Sequence, residues 1–420
     1  KNHSLMRTIT RIYIPAFFIL FALSCGQADK PVTPEEVGIS GDSLEYAAQT
    51  MQEYINEGLY AGIAVRTIKD GVTVQDERFG YADVEEGISL GEDAIYRIFS
   101  MSKPITTVAL MTLYDDGLFS LDDGVADYIP AFRETRVYTP RDDGFVLEPQ
   151  ENAMTIRHLL THTSGLTYGW QPGSYVDSLY SARGVNEWDA PLEEKIKLLA
   201  AIPLKFQPGT RWEYGLSIDV AGYLVEVLSG MPFDEYLALE VCEPLEMDDT
   251  GFFVPGEKHP RLTTLYTRDE QGRVTSLSGS AGLSEDDEAD FNDIFKKPAV
   301  LLSGGGGMVS TVDDYEKFCR MMLNGGEFNG TRILKEETVD LIMSDQLPEA
   351  VKYKRTHGYG LGGQVEYETG AYSWSGAAST SFEIIPAQKL IMLTFTQLMP
   401  NDHSYAAKYM NIVKNGIQED

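Results

Sequence analysis

With 420 residues, 43% of them hydrophobic and 11% aromatic, the chain can bury a large core and build more than one lobe. Its formal charge of −30 excludes nucleic-acid binding through a phosphate-neutralising face, because the net field repels the phosphates. Otherwise an acidic balance of this kind reads as a solvated surface.

The first segment differs from the rest. Arg7 and Arg11 precede Ile12–Leu23, an apolar run of signal-peptide length that is too short to span a bilayer comfortably. Met6 reads as the initiator. The run ends Ala22-Leu23-Ser24-Cys25-Gly26, and small residues before a cysteine resemble a bacterial lipoprotein signal. The expectation is a signal peptide over residues 1–24 and a lipid on Cys25. It implies export to the bacterial cell envelope, periplasm or outer membrane, with membrane contact only through that anchor. Residues 25–41, with Pro31, Pro34, Gly38 and Gly41, read as a linker.

Next, Asp42–Leu59 carries Leu44, Ala47, Ala48, Met51, Tyr54 and Ile55 at helical spacing. Gly62–Lys69 and Val72–Phe79 read as strands joined by Asp70-Gly71, a two-residue hairpin signal. Then comes Phe99-Ser100-Met101-Ser102-Lys103-Pro104, followed by a run apolar on nearly every side, Ile105–Tyr114. That pattern predicts a buried helix ending near Gly117. Pro104 is tolerated only in the first turn, so Ser100 and Lys103 fall at the helix N-terminus on one face. A hydroxyl beside an amine at a positive helix end suits a nucleophile with its base. Taken alone, the pair also fits an N-capping serine with a solvated lysine.

From about 118 to 295, helical segments alternate with long loops, and no sheet is evident. Thr155–Leu160, Leu192–Ile202, Ile218–Leu228 and Pro232–Cys242 read as helices. Val137–Ala153 and Gly272–Lys297 read as surface loops, the second carrying the acidic run Ser284–Asp290. After Ser303-Gly304-Gly305-Gly306-Gly307, a helix starts at Ser310–Asp314, runs to about Leu323 and stops at Asn324-Gly325-Gly326. The end is strand-rich: Tyr359–Tyr367, Ala371–Trp374, Ser379–Ile385 and Lys389–Thr396, then a helix over Asn401–Asn415. Strands at both ends with helices between predict an α/β domain from 42–117 and 296–420, split by a mostly helical domain over 118–295. Cys242 and Cys319 read as free buried thiols.

Two patterns are set aside. The Gly304–Gly307 run lacks the Gly-Lys-Ser/Thr of a phosphate loop, so close backbone packing is the better account. His158 and His162 are four apart, but no glutamate stands between them at the metalloprotease position. No metal and no cofactor is expected.

A lysine base beside a serine needs a partner to relay the proton and donors for an oxyanion. Two distant stretches suit those needs. Phe206–Ser217 can present Tyr214 from a loop before a helix. Tyr372-Ser373-Trp374-Ser375-Gly376-Ala377 ends a strand with small residues that let backbone N–H groups approach a substrate. Ser100-x-x-Lys103, Tyr214 and Trp374-x-Gly376, in this order, resemble the serine β-lactamase and penicillin-binding-protein superfamily. The spacing is similar to class C β-lactamases and, more closely, to family VIII carboxylesterases. Thr155–Leu166, Phe206–Gly209, Gly304–Asp314 and Ser379–Pro386 extend the likeness over about residues 40–415.

The resemblance implies a β-lactamase/transpeptidase-like α/β fold, an antiparallel sheet flanked by helices. It implies a serine hydrolase with an acyl-enzyme on Ser100, Lys103 and Tyr214 handling its proton, and the N–H groups of Ser100 and Ala377 as oxyanion hole. Trp374, Ser375, Gly376, Leu216 and Trp170 would meet a small-molecule acyl substrate, with Tyr168, Tyr372 and Phe99 as further candidates for an apolar pocket. Two departures bear on specificity. Leu216 stands where β-lactamases of this type have an asparagine, and Trp374 where they have a lysine. Both favour uncharged carboxylic esters, with β-lactam or D-amino-acid peptide hydrolysis as the alternative and Arg97 as a substitute carboxylate partner. A penicillin-binding-type sensor or scaffold is the non-enzymatic alternative.

Overall fold

The computed structural model describes residues 32–277 and 291–418. The leader, Cys25 and the acidic run Ser284–Asp290 lie outside the described residues.

An eight-stranded antiparallel sheet organises the fold. Its strands are β1 (Gly62–Lys69), β2 (Val72–Asp83), β3 (Ile88–Ser89), β4 (His357–Tyr359), β5 (Gln364–Glu366), β6 (Tyr372–Ser375), β7 (Ser381–Ile385) and β8 (Leu390–Phe395). Their order in space is β4-β5-β6-β7-β8-β1-β2-β3, so the centre pairs the two ends of the chain, Ala64 opposite Phe395. Asp70 and Gly71 both have positive φ, 50° and 79°, which matches the right-handed twist of the β1–β2 hairpin they close.

One face of the sheet is covered by α1 (Gly41–Asn56) and the C-terminal helix, Ser404–Asn415, through Leu44, Ala47, Met51, Tyr405 and Tyr409. The other face carries the main core, built on α2 (Ser102–Asp115), α3 (Ser217–Ser229) and α4 (Val312–Leu323). Every residue of α2 from Ser102 to Leu113 is buried, as the all-round apolar run requires. Each fully buried Ile, Leu or Met there contributes roughly 1.5–3 kcal/mol.

Three expectations are corrected. Residues 118–295 are not free of sheet: Val137–Arg141 pairs with Gly144–Glu148, and Tyr266–Arg268 with Val274–Ser276. The first hairpin is hard to read because Pro140 interrupts it and Phe145, Val146 and Leu147 are exposed, which removes the alternation. The stretch 359–367 is two strands, not one. It turns at Gly360–Gly363, where a Cβ on Gly362 would overlap the Thr107 hydroxyl of α2. The last helix begins at Ser404, three residues later than its apolar pattern suggests, after Asp402 has accepted a hydrogen bond from the Ser404 N–H. Cys242 and Cys319 are free and buried, as expected. Among the described residues no helix is long and apolar enough to cross a membrane.

Candidate active site

Ser100 sits in a single 3-10 turn, Phe99–Met101, that runs directly into α2. Phe99 has φ 41°, a left-handed conformation that costs a bulky residue about 1–2 kcal/mol. The turn is held against this strain from both sides. Tyr96 and Arg97 pair with Ser310 and Val309, and the Ile98 N–H donates to the Met308 carbonyl at 3.1 Å. Such a turn lifts Ser100 out of the helix barrel, while Lys103, one turn on, is fully buried beneath it.

Lys103 Nζ donates to Ser100 Oγ at 3.2 Å, to the Tyr168 hydroxyl at 2.9 Å and to the Gly305 carbonyl at 2.5 Å. An ammonium has three donors, and all three are used. The amine also lies 4.6 Å from the ring centre of Tyr214 and 5.4 Å from that of Tyr168. The Tyr214 hydroxyl donates to Ser100 Oγ at 2.7 Å. A serine–lysine pair and a tyrosine from two distant stretches thus meet at one oxygen.

Tyr214 is placed by two loops zipped together. The Lys205 N–H donates to Gly165 O at 2.9 Å, Gly209 N–H to Thr163 O at 2.8 Å and Glu213 N–H to His162 O at 2.9 Å. A Cβ on Gly215 would overlap the backbone at Leu166 and Thr167, so only glycine lets the loops close beside Tyr214. This gives the Thr155–Leu166 and Phe206–Gly209 stretches a common task. His158 belongs to the same support: its Nδ1 accepts the Thr155 N–H at 3.2 Å while the Thr155 hydroxyl caps the His158 N–H. His162 is fully buried, its ring centre 4.9 Å from that of Tyr214, and burial followed by the Lys103 charge holds its pKa well below the usual value.

The third wall comes from the end of β6. A Cβ on Gly376 would overlap the Ile98 carbonyl, so this glycine lets the strand end abut the Ser100 turn and sets Ala377 beside it. The Gly376 N–H is bonded to Thr380 O at 2.8 Å. Trp374 is half-buried, with its ring 5.6 Å from Tyr214 and 5.3 Å from Tyr359. Ser375 follows it at the strand end, opposite Ser381. Leu216 caps α3 and packs partly buried against the main core. Trp170 is 60% exposed and stacks on Tyr168, centres 4.3 Å apart and planes 9° apart, which makes it the outermost ring at the Lys103 side.

Several candidates are elsewhere. Arg97 is not open to a substrate carboxylate: it is 1% exposed and its guanidinium donates to the carbonyls of Phe291, Thr263 and Asn292. Tyr372 is core, its hydroxyl bonded to Leu361 O at 2.8 Å. Phe99 turns away from Ser100 to pack edge-on against Phe291 and Phe295. Conversely, the sequence reading assigns no polar task to Tyr168, to the Gly305 carbonyl or to Asp219. Burial, then Tyr214 and Asp219, push the Tyr168 hydroxyl well above its ordinary pKa, so it stays protonated beside the amine. Asp219 is 5% exposed behind the glycine run. The signal for it is a lone carboxylate in the otherwise apolar stretch Ile218–Val225.

The sequence model of one family, described as Beta-lactamase, matches residues 47–415. The chain belongs to the β-lactamase family. Protein Rv1367c of Mycobacterium tuberculosis is 30% identical over 391 residues, covering 86% of this chain and 91% of that one. Esterase EstB of Burkholderia gladioli is 32% identical over 291 residues, 67% of this chain and 71% of its own. Among solved structures, EstCE1, titled a hydrolase with promiscuous acyltransferase activity, superposes with a TM-score of 0.73 at 25% identity, over 89% of this chain and 98% of its own. The fold is therefore β-lactamase/transpeptidase-like, and within this family the chain is a serine hydrolase.

Proposed function

We propose that the protein hydrolyses uncharged carboxylic esters through an acyl-enzyme on Ser100. One observation carries the reading: Ser100 Oγ holds the Tyr214 hydroxyl at 2.7 Å and Lys103 Nζ at 3.2 Å, beside an indole where a cation would bind a β-lactam carboxylate. Ser100 Oγ attacks the ester carbonyl and gives its proton to the Lys103–Tyr214 pair. The N–H groups of Ser100 and Ala377 receive the oxyanion. Tyr214 returns the proton to the departing alkoxide, and the alcohol leaves. A water then attacks the acyl carbon, giving its proton to the same pair, and the acid departs as Ser100 is restored. Trp374, Trp170, Leu216, Ser375 and Gly376 border the acyl and alcohol groups. The aromatic rings favour apolar, uncharged substituents. The likeness to Esterase EstB supports ester chemistry, and the likeness to EstCE1 supports a hydrolase that handles acyl groups.

Purified protein offered p-nitrophenyl butyrate and a chromogenic cephalosporin tests the choice. Faster turnover of the ester is expected; fast turnover of the cephalosporin alone would reverse it. We read the chain as exported and lipid-anchored through Cys25. Mass analysis of the membrane fraction tests this, an unmodified mature N-terminus at another residue being the contrary result.

A further inference from the structure

The glycine run and the carboxylate of Asp219 form one buried unit behind Lys103. Burying a carboxylate is costly unless its oxygens are bonded or paired. Here Oδ1 accepts the Ser303 hydroxyl at 2.5 Å and the Gly305 N–H at 3.2 Å. Among the described residues Oδ2 has no hydrogen-bond partner. A Cβ on Gly305 would overlap that same Oδ2, so the carboxylate lies directly against a residue that has to be glycine. The carbonyl of Gly305 accepts from Lys103 Nζ at 2.5 Å. One residue thereby joins the carboxylate to the amine. Gly304 fixes the neighbouring turn: its carbonyl accepts the Thr106 hydroxyl at 2.8 Å, and a Cβ there would crowd Ile218 O.

We infer that Asp219 is a positioning residue: it sets the Gly305 carbonyl against Lys103, and its charge governs the first proton lost by the Ser100–Lys103–Tyr214 set. The inference rests on the reading of Ser100 as the acylated residue. The titratable groups facing Lys103 are Tyr168 and His162 from one loop, Tyr214 from the next, and Asp219 from α3. Burial keeps the Tyr168 phenol and the His162 imidazole neutral, and Asp219 is the carboxyl group among these neighbours. Burial raises its pKa, while the Lys103 charge and the bonds from Ser303 and Gly305 pull it back. An anion opposes loss of the first proton whether it leaves the Lys103 ammonium or the Tyr214 phenol. The sign of the effect is therefore independent of which group is the base.

The experiment follows phosphonylation of Ser100 by a fluorophosphonate probe against pH, with Tm measured alongside. In this reaction Oγ–P forms, P–F breaks, fluoride leaves and the serine proton passes to the Lys103–Tyr214 pair. Asp219→Asn keeps the shape and removes the charge. It is expected to move the acid limb of the labelling rate down by about one pH unit and to slow the plateau at least about fivefold. Ser303→Ala keeps the charge and frees one side of the clamp, with labelling about threefold slower and the limb unmoved. A lowered Tm with an unmoved limb in Asp219→Asn means a structural role only and overturns the inference. If Asp219→Asn does not accumulate as folded protein, Ser303→Ala decides, and labelling at the wild-type rate overturns it. Wild-type protein that is not labelled on Ser100 defeats the nucleophile reading itself.

Discussion

The two sides of the candidate site are built on opposite principles. On the α2 side the central side chains are joined by hydrogen bonds: Lys103 to Ser100, Tyr168 and Gly305, and Tyr214 to Ser100. On the other side His162, Trp212, Trp374, Tyr359 and Tyr214 pack ring against ring. Among the described residues, both nitrogens of His162, the indole N–H groups of Trp212 and Trp374 and the Tyr359 hydroxyl have no hydrogen-bond partner. Buried polar atoms left this way are destabilising, so this side is held by ring contact and burial rather than by polar pairing. The difference teaches a division of labour. On the proposed reading the bonded side is the one that moves protons, and the aromatic side supports Tyr214 and faces the proposed substrate.

The largest expected effects therefore lie on the bonded side. Ser100→Ala should lower ester turnover by roughly three orders of magnitude or more while circular dichroism and Tm stay at wild-type values. Tyr214→Phe keeps the ring in the aromatic stack and removes the hydroxyl. A fall in kcat of about 10²–10⁴ with little change in KM is expected. If Tyr214→Phe instead lost stability and kept its rate, Tyr214 would belong to the aromatic side alone, and the division would fail. A smaller change is expected across the site. Trp374→Lys restores a cation at the strand end and should raise the ratio of cephalosporin to ester turnover, by about tenfold. An unchanged ratio would show that the indole does not border the substrate.

The same contrast explains what was legible in the sequence. The α2 run, the Asp70-Gly71 hairpin and the last three C-terminal strands are local patterns in which side-chain period and turn chemistry agree, and they appear in the structure with small boundary shifts. The meeting of Ser100, Lys103 and Tyr214 is not local. It depends on Gly165, Gly209 and Gly215 closing two loops together, and the order of motifs pointed to it only through family resemblance. Tyr168 read as one more apolar ring because nothing in its neighbours indicates that its hydroxyl turns to Lys103. The glycine run signals close packing, but what it packs against depends on Asp219, 86 residues before Gly305. Arg97 misled because an arginine near the motif has no local sign of burial, and it takes three backbone carbonyls to hold it there.

The smallest predicted effect tests the aromatic side directly. His162 is fully buried and has no hydrogen-bond partner among the described residues, and its φ of 54° is one that asparagine also tolerates. The folded protein keeps this imidazole neutral well below the usual 6.5, whereas the unfolded chain binds a proton there. Unfolding then takes up a proton, so His162 has no effect on stability above about pH 6.5. Below that pH it costs up to about 1.4 kcal/mol per unit, down to the folded-state pKa. His158, His357 and His403 are also held below their ordinary pKa by burial and add to the same acid slope. His162→Asn should remove one proton's share of that slope in urea titrations between pH 6.5 and 5 and leave the others in place. Its ester turnover at pH 7.5 should fall only a few-fold, through the loss of ring contact behind Tyr214. The opposite pattern, an unchanged acid slope with turnover lost a hundredfold, would place His162 among the groups that move the proton, and the two sides of the site would no longer be distinct.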